Sequence, residues 1–357
     1  MFNDNISPDL SLIIVTYNAE EFIMDCLMSV QNQTCRNFET IIVDNGSIDE
    51  TTTIIEKYFS WVQLIKSPKN LGFTGGVHLG YTHSKGKYIA LLNPDTRAHN
   101  EWLANLVSIM NGNQQCGICA SLMLKWGTNI VDTAGDGCTC AGKGYKIGHN
   151  LAAEFYQDTK EVFAACGGAV LYRRKMIEEV GFFDSDFFLL HEDTDLSFRA
   201  RLEGWNCIYV SNAVVEHKVS ASIGYKSSLA VYHSVKNSDM VWLKNMPGLF
   251  LLFTLHEKLL SDISSFIYLG IIHGKIKEYI KAKMFIFNHF SQILAKRKVI
   301  QGKRKIGYKQ LYNYLTPFLS PRHLSSLWKE KSNEIIPFKK SGGGPNKAGR
   351  INNHTHS

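Results

Sequence analysis

Apolar and polar positions alternate between two periods over the first hundred residues. The run at 11–15 (S-L-I-I-V) is continuously apolar and ends at Thr-Tyr-Asn, the pattern of a strand buried on both faces. Over 20–30, Phe22, Ile23, Cys26, Leu27 and Val30 fall on one helical stripe, with Asn18 placed to cap it and Glu21 three residues on. The same reading gives strands at 40–43, 62–65 and 88–92. Helices are expected at 49–58 (capped by Asp49), 75–84 and 101–110. Four strand–helix units in succession predict a parallel sheet with right-handed crossovers.

The pattern is less regular from 117 to 172, with strands expected at 118–123 and 169–172. Helices follow at 173–181 and 195–203, then strands at 207–210 and 214–217. In this stretch Arg199 and Arg201 read as partners of Asp195 and Glu203, and Trp205 as core. From about 228 the pattern is helical and basic. Residues 341–357, rich in Gly, Asn and His, read as a disordered tail. The division that follows is an α/β unit at 1–245 (halves 10–115 and 116–245), a helical basic region at 246–340 and the tail.

Charge sharpens this division. Residues 1–240 carry 19 basic and 27 acidic side chains, whereas 241–357 carry 20 and 5. An acidic body is a poor nucleic-acid binder; a basic helical end suits an anionic surface. Between Lys275 and Lys309 lie eleven Lys/Arg and one acid, Glu278, interleaved with aromatic and aliphatic residues. That composition fits an anionic membrane surface, or alternatively a helical appendage with a solvated basic face. No run of about 18 apolar residues occurs, and the first residues lack the basic and apolar regions of a secretory signal. The expectation is a cytoplasmic protein, peripheral on the inner face of the cell membrane. Cys116-x-x-Cys119 with Cys138-x-Cys140 has the spacing of a zinc site, but Cys116 and Cys119 flank Gly-Ile in an apolar strand, which favours small core fillers.

In an open parallel sheet ligands bind beyond the carboxyl ends of the strands. There stand Thr16-Tyr17-Asn18, Asp44-Asn45-Gly46-Ser47, Asn70-Leu71-Gly72-Phe73-Thr74-Gly75-Gly76 and Asn93-Pro94-Asp95. Neither a Gly-x-Gly-x-x-Gly turn nor a P-loop is present, which argues against a nicotinamide-dependent nucleotide-sugar oxidoreductase. Asp44 and Asp95 would repel a diphosphate unless a divalent cation lay between, which suggests a nucleotide bridged by Mg2+ or Mn2+. Asp44 also suits an Asx-turn with Gly46, and Asp95 a simple turn after Pro94.

These motifs, with His191-Glu192-Asp193-x-Asp195-Leu196-x-x-Arg199, together resemble family 2 inverting glycosyltransferases, and within them a bacterial rhamnosyltransferase-like group. The resemblance covers about residues 10–245. It implies the GT-A nucleotide-diphospho-sugar transferase fold, an α/β Rossmann-like, mostly parallel sheet, here with a C-terminal helical basic extension. It further implies that Thr16, Tyr17, Asn18, Asp44, Asn45 and Ser47 line the nucleotide pocket, and that Asn70, Gly72, Phe73, Gly75 and Gly76 cover nucleotide and sugar. Asp95 would be the metal ligand of a DxD-like motif in which Asn93 replaces the first Asp, with His217 as a second ligand. Asp193, or failing that Glu192, would be the catalytic base, and Cys166-Gly167-Gly168 an acceptor-side loop. The implied reaction moves L-rhamnose from dTDP-rhamnose, or a hexose or N-acetylhexosamine from a UDP donor, onto a cell-surface polysaccharide or lipid-linked glycan of the O-antigen type. A nucleotide-sugar or carbohydrate-binding module without turnover is the competing class. The same acids would also serve as a solvated helix start at 192–195.

Overall fold

The first apolar run becomes β1 (Leu10–Thr16), flanked by β2 (Phe38–Asp44) and β4 (Tyr88–Leu92) and parallel to both. β3 (Gln63–Lys66) adds in parallel beyond β2. The computed structural model describes residues 8–218, 227–321, 323 and 324; the tail at 341–357 and the end of the basic region lie outside the described residues. The crossovers are α1 (Ile23–Gln31), α2 (Thr51–Tyr58) and α3 (Gly72–His83). Because β4 returns to the far side of β1, strand order reverses between these two. Such a reversal splays the following loops apart and opens a crevice at the strand ends.

The second half extends the sheet with mixed direction. After β5 (Thr96–Ala98) and α4 (Trp102–Gly112) come β6 (Cys116–Lys125), β7 (Val131–Ala134), β8 (Asp136–Thr139) and β9 (Gly144–Lys146). Next are β10 (Lys160–Val162), β11 (Ala169–Arg173), α5 (Arg174–Val180), α6 (Glu192–Leu202) and β12 (Asn206–His217). The order is β10-β12-β6-β11-β4-β1-β2-β3, with β5 on β12 and β7 on β6. β11 runs antiparallel to both neighbours, whereas β12 runs parallel to β6.

Period-2 alternation sorts the core onto the two sheet faces. Leu10, Leu12 and Ile14 pack with Leu27, Trp102 and Leu106 on one face; Ile13, Ile89 and Leu91 pack with Val77 and Tyr172 on the other. Trp205 joins the second cluster, as expected. A third cluster joins Phe198 and Leu202 of α6 to Met240 and Val241 of α7 (Ser228–Asn245). The chain continues through α8 (Gly248–Ser265), α9 (Ile276–Asn288) and α10 (Phe290–Gly302), with Ile293 of α10 in that third cluster. Among the described residues no helix is long and apolar enough to cross a membrane.

Several boundaries differ from the sequence reading. The strands expected at 207–210 and 214–217 are one strand, β12, whose register shifts between Val210 and Val214. α1 starts at Ile23 without a side-chain cap; Asn18 stands outside it in a left-handed conformation (φ 49°). α2 starts at Thr51, and Asp49 just ahead accepts from Thr51 N and Oγ1. α3 and α6 begin three residues earlier than expected, so Gly72, Phe73, Gly75, Glu192 and Asp193 lie in first turns of helices and Gly76 starts the second turn of α3.

Candidate active site

The loops after β1 and β2 are knotted together by their own polar side chains. Asp44 is buried and accepts from Thr16 Oγ1 at 3.2 Å, Ser47 Oγ at 2.5 Å, Ser47 N at 3.1 Å and Gly46 N at 3.3 Å. Both its oxygens are thus engaged in closing the turn, the plainer of the two sequence readings. Asn18 Oδ1 accepts from Ile48 N at 3.0 Å, and Asn18 N donates to Ser47 Oγ at 2.9 Å. Tyr17 stays half exposed on the rim. The left-handed Asn18 and the Asp44 turn therefore build a preformed wall, with the Tyr17 ring as its accessible apolar surface.

The glycine-rich loop is tied to this wall. Asn45 Nδ2 donates to Gly72 O at 2.9 Å and to Asn70 Oδ1 at 3.3 Å; its Oδ1 accepts from Leu71 N. Gly72 has φ +74°, and a Cβ there would lie 2.4 Å from the Phe188 carbonyl oxygen, so only glycine lets the start of α3 reach the segment ahead of α6. Gly76 is buried against Val15 of β1, where a Cβ would fall 2.6 Å from Cγ1. Its observed work is close helix–sheet packing. Phe73 lies against Phe183 and lines the position where a Cβ on Gly167 would stand.

Asn93, Asp95 and His217 meet where β4, β5 and β12 converge. Asn93 N donates to Gly168 O at 2.9 Å. His217 Nε2 lies 3.6 Å from Asp95 Oδ1, and its Nδ1 bonds Asp132 Oδ2 at 2.9 Å. Asp132 in turn takes Lys146 Nζ at 2.6 Å. Burial disfavours the charge on His217, but the carboxylates of Asp132 and Asp95 outweigh it and raise the imidazole to about 9. A carboxylate oxygen and an imidazole nitrogen this close, the imidazole fixed by a second carboxylate behind it, suit a divalent cation. The residues present therefore fit the expected Mg2+ or Mn2+. Asp132 was missed in the sequence reading; the signal was a lone acid inside the apolar run Ile130-Val131-Asp132-Thr133-Ala134.

Glu192 and Asp193, adjacent in sequence, face different surroundings. Asp193 Oδ2 accepts from Gly167 N at 2.9 Å and Oδ1 from Thr194 N at 2.6 Å. Burial raises its carboxyl above the ordinary range, while these donors hold it back. Glu192 is almost fully buried, with no hydrogen-bond partner for Oε2, and burial followed by the Asp193 charge pushes it well up. Asp193 is anchored on the Gly167 turn, whereas Glu192 is buried away from it, so the geometry favours Asp193. One glycine on, Gly168 O receives Asn93 N, so the Gly167–Gly168 turn links the Asp193 carboxylate to the Asn93–Asp95 corner.

α6 begins after two consecutive left-handed residues, Leu190 (φ 67°) and His191 (φ 66°). Such backbone costs energy outside glycine and persists only where the surroundings enforce it. Here Asn237 of α7, fully buried, donates to Leu189 O at 2.8 Å and Leu190 O at 2.7 Å. Asp195 does not face a solvated helix start. It is buried between Arg199 Nε at 2.8 Å, Lys244 Nζ at 3.0 Å and Asn245 Nδ2 at 2.8 Å. Arg199 pairs with Asp195 as expected, whereas Arg201 pairs with Glu161 rather than Glu203.

Asp136, Cys166 and Asp193 also offer ligand atoms all within 4.8 Å of one another. Burial, then the charges of Asp136 and Asp193, raise the Cys166 thiol, and burial raises Asp136 to about 7. A thiol is a soft ligand and a poor match for a hard Mg2+ or Mn2+, so the Asp95–His217 corner suits that cation better than this cluster does. The four cysteines with zinc-like spacing are separated: Cys116 and Cys119 belong to the cluster under α4, Cys138 and Cys140 to the one shared with α7.

Residues 11–181 match the family described as Glycosyl transferase family 2. An uncharacterized glycosyltransferase of Haemophilus influenzae is 31% identical over 144 residues, 40% of this chain and 42% of that protein. The chain thus spans less than half the length of this relative. The low-salt glycan biosynthesis hexosyltransferase Agl10 of Haloferax volcanii is 26% identical over 247 residues, 64% of this chain and 74% of that protein. Among solved structures, GalNAc-T7 with UDP, GalNAc and Mn2+ superposes with a TM-score of 0.54 at 17% identity, covering 67% of this chain and 48% of that one. That likeness concerns the fold. The reversed parallel sheet and its loops show that this chain is built on the GT-A fold, and the segment that carries most of them is similar to the glycosyl transferase family 2 model.

Proposed function

We propose that the protein is an inverting, metal-dependent glycosyltransferase. It transfers L-rhamnose from dTDP-rhamnose onto a cell-surface polysaccharide precursor or lipid-linked glycan at the cytoplasmic face of the membrane. One observation carries the reading: the Gly167–Gly168 turn joins the Asp193 carboxylate to the corner that holds Asn93, Asp95 and His217. A base and a diphosphate-side acid on one rim are what displacement at an anomeric carbon requires.

In this reading Asp193 takes the proton of the acceptor hydroxyl as its oxygen attacks the anomeric carbon. The bond from that carbon to the diphosphate oxygen breaks, its electron pair leaves with the nucleotide, and the configuration inverts. A carboxylate placed for this contributes about 10²–10⁴-fold, and a raised basicity moves it toward the working pH. A divalent cation on Asp95 and His217 would supply Lewis-acid stabilisation of the leaving diphosphate. Tyr17 offers a ring to the base, and Phe73, beside Gly167, closes the sugar side. The rhamnosyl donor follows the motif set as a whole. UDP-hexose or UDP-N-acetylhexosamine is the second reading, favoured by the UDP and Mn2+ held by the solved relative.

A thermal-shift series of dTDP-rhamnose, UDP-glucose, UDP-N-acetylglucosamine and GDP-mannose, with and without Mn2+, tests this. Stabilisation grows as RT ln(1 + [L]/Kd), so the true donor stands apart. We expect dTDP-rhamnose with Mn2+ to give the largest shift. A larger shift from a UDP-sugar transfers the assignment to the second reading. No shift with any nucleotide sugar, or a transfer product of retained configuration, overturns the proposal.

A further inference from the structure

α8 is inside out. Its polar residues Thr254, Glu257, Lys258, Ser261 and Asp262 recur at helical spacing and so form one stripe. That stripe faces the protein: Thr254, Lys258 and Ser261 are buried. Lys258 bridges Asp239 of α7 and Asp262, and Lys283 of α9 binds the same two carboxylates. Trp242 Nε1 donates to Thr254 Oγ1 at 3.1 Å, and Phe318 N to Glu257 Oε2 at 2.8 Å. The opposite stripe, Leu252, Phe253, Leu259, Leu260 and Ile263, is exposed, with Leu252 at 70% and Phe253 at 69%.

α9 buries Tyr279 and Ala282 against α7 but also leaves a second apolar stripe outside. Ile276, Ile280, Met284 and Phe287 follow one another at spacings of three and four and are exposed, Phe287 at 83%. Lys277 and Lys281 stand next to the first two and are exposed as well. A water-soluble helix buries its apolar stripe, and apolar exposure on this scale marks a contact surface. Its charge decides the occupant. The lysines bordering the α9 stripe complement anionic headgroups, whereas a two-fold contact between copies would bring the same basic rim to both sides, and neither α8 nor α9 supplies an exposed acid to match it. Spanning is excluded because the polar stripe is fixed to α7 and α9.

We propose that α8 and the apolar stripe of α9 embed in the interfacial layer of an anionic bilayer, with α8 lying in the membrane plane and its polar stripe kept on the protein. This names the surface that the proposed membrane location would use, and it rests on that clause of the proposed function. Binding is hydrophobic first and electrostatic second, so it outlasts screening by salt.

Flotation of the full chain with phosphatidylethanolamine/phosphatidylglycerol vesicles, against phosphatidylcholine vesicles, at low and high salt, tests this without donor or acceptor. We expect flotation on the anionic vesicles that persists in high salt. The pair Leu252→Glu and Phe253→Glu should lower partitioning at least about tenfold at either salt, with unchanged circular dichroism. The pair Lys277→Gln and Lys281→Gln should remove only the preference for anionic lipid. Should the glutamate pair not fold, Phe253→Trp should show added emission that shifts blue on vesicles and is quenched by brominated acyl chains. Wild-type protein that fails to float, a glutamate pair that floats like wild type, or an unshifted Trp overturns the proposal. So does a dimer in vesicle-free solution that the glutamate pair converts to monomer, since a second copy then covers the face. Loss of sugar transfer with vesicle binding intact would count against the proposed reaction alone.

Discussion

At the scale of single residues, the separation of Glu192 from Asp193 is set by orientation. Neighbours on a helix point about 100° apart, so one carboxylate meets Gly167 N and the other is buried with no hydrogen-bond partner for Oε2. Asp193→Asn should lower kcat by about 10²–10⁴-fold while leaving nucleotide affinity by calorimetry near wild type. Undiminished transfer would remove Asp193 from the mechanism. Asp132→Asn should weaken the cation half-saturation by about 10–100-fold, because a ligating imidazole loses the carboxylate that orients it. That is measured as the Mn2+ dependence of the nucleotide thermal shift, and an unchanged dependence would separate Asp132 from the metal. The lone acid at 132 was visible in the sequence. Its partner was not, because His217 lies 85 residues away and arrives only through β12.

At the scale of elements, the strained start of α6 is maintained by α7. Asn237→Ala would strand the Leu189 and Leu190 carbonyls at a cost of about 1–3 kcal/mol, and would let the Leu190–His191 pair relax. The expected outcome is a lower Tm and a lower kcat with little change in KM for the donor, since the donor wall lies on other loops. Equal losses in kcat and donor affinity would mean that the whole rim collapses. The parallel strands and their helices were legible because continuous apolar runs and 3.6-residue stripes are local. The pairing of β6 with β12 and the antiparallel insertion of β11 were not, since they depend on which edges remain open once β4 has paired with β1.

For the molecule as a whole, buried acids fall into two groups with opposite pH behaviour. Burial acts to raise Asp184 and Asp195, but Lys244 with Lys296, and Lys244 with Arg199, hold them below the ordinary range. Their stabilisation is present above the unfolded value near 3.9 and is lost as pH falls below it. Asp136, raised to about 7 by burial and by Asp193, does the reverse: its share is full below about 4 and fades as pH rises through about 7. The combined contribution of these groups should therefore be largest near about pH 4, shrink below it, decline between about 4 and 7 and level off above about 7, as Tm across pH reads out. Lys296→Met should flatten the acid side alone, as read by scanning calorimetry across pH. A Tm that climbs steadily from pH 5 to 8 would contradict the Asp136 assignment.

The sequence by itself determined the parallel half of the sheet, the set of polar loops at its strand ends and the basic helical end, because periodicity, turn residues and charge act over a few positions. Tertiary structure decided the rest. It turned Asp193 to the rim and Glu192 to the core, set Asp132 behind His217, and spent Asp44, Asn45 and Gly76 on holding loops and helix in place. It also turned the polar stripe of α8 inward, against Asp239 and Lys283, and left its leucines facing out. A hydrophobic stripe can be counted along a chain; the direction it faces is settled only by which polar groups elsewhere can satisfy the opposite side.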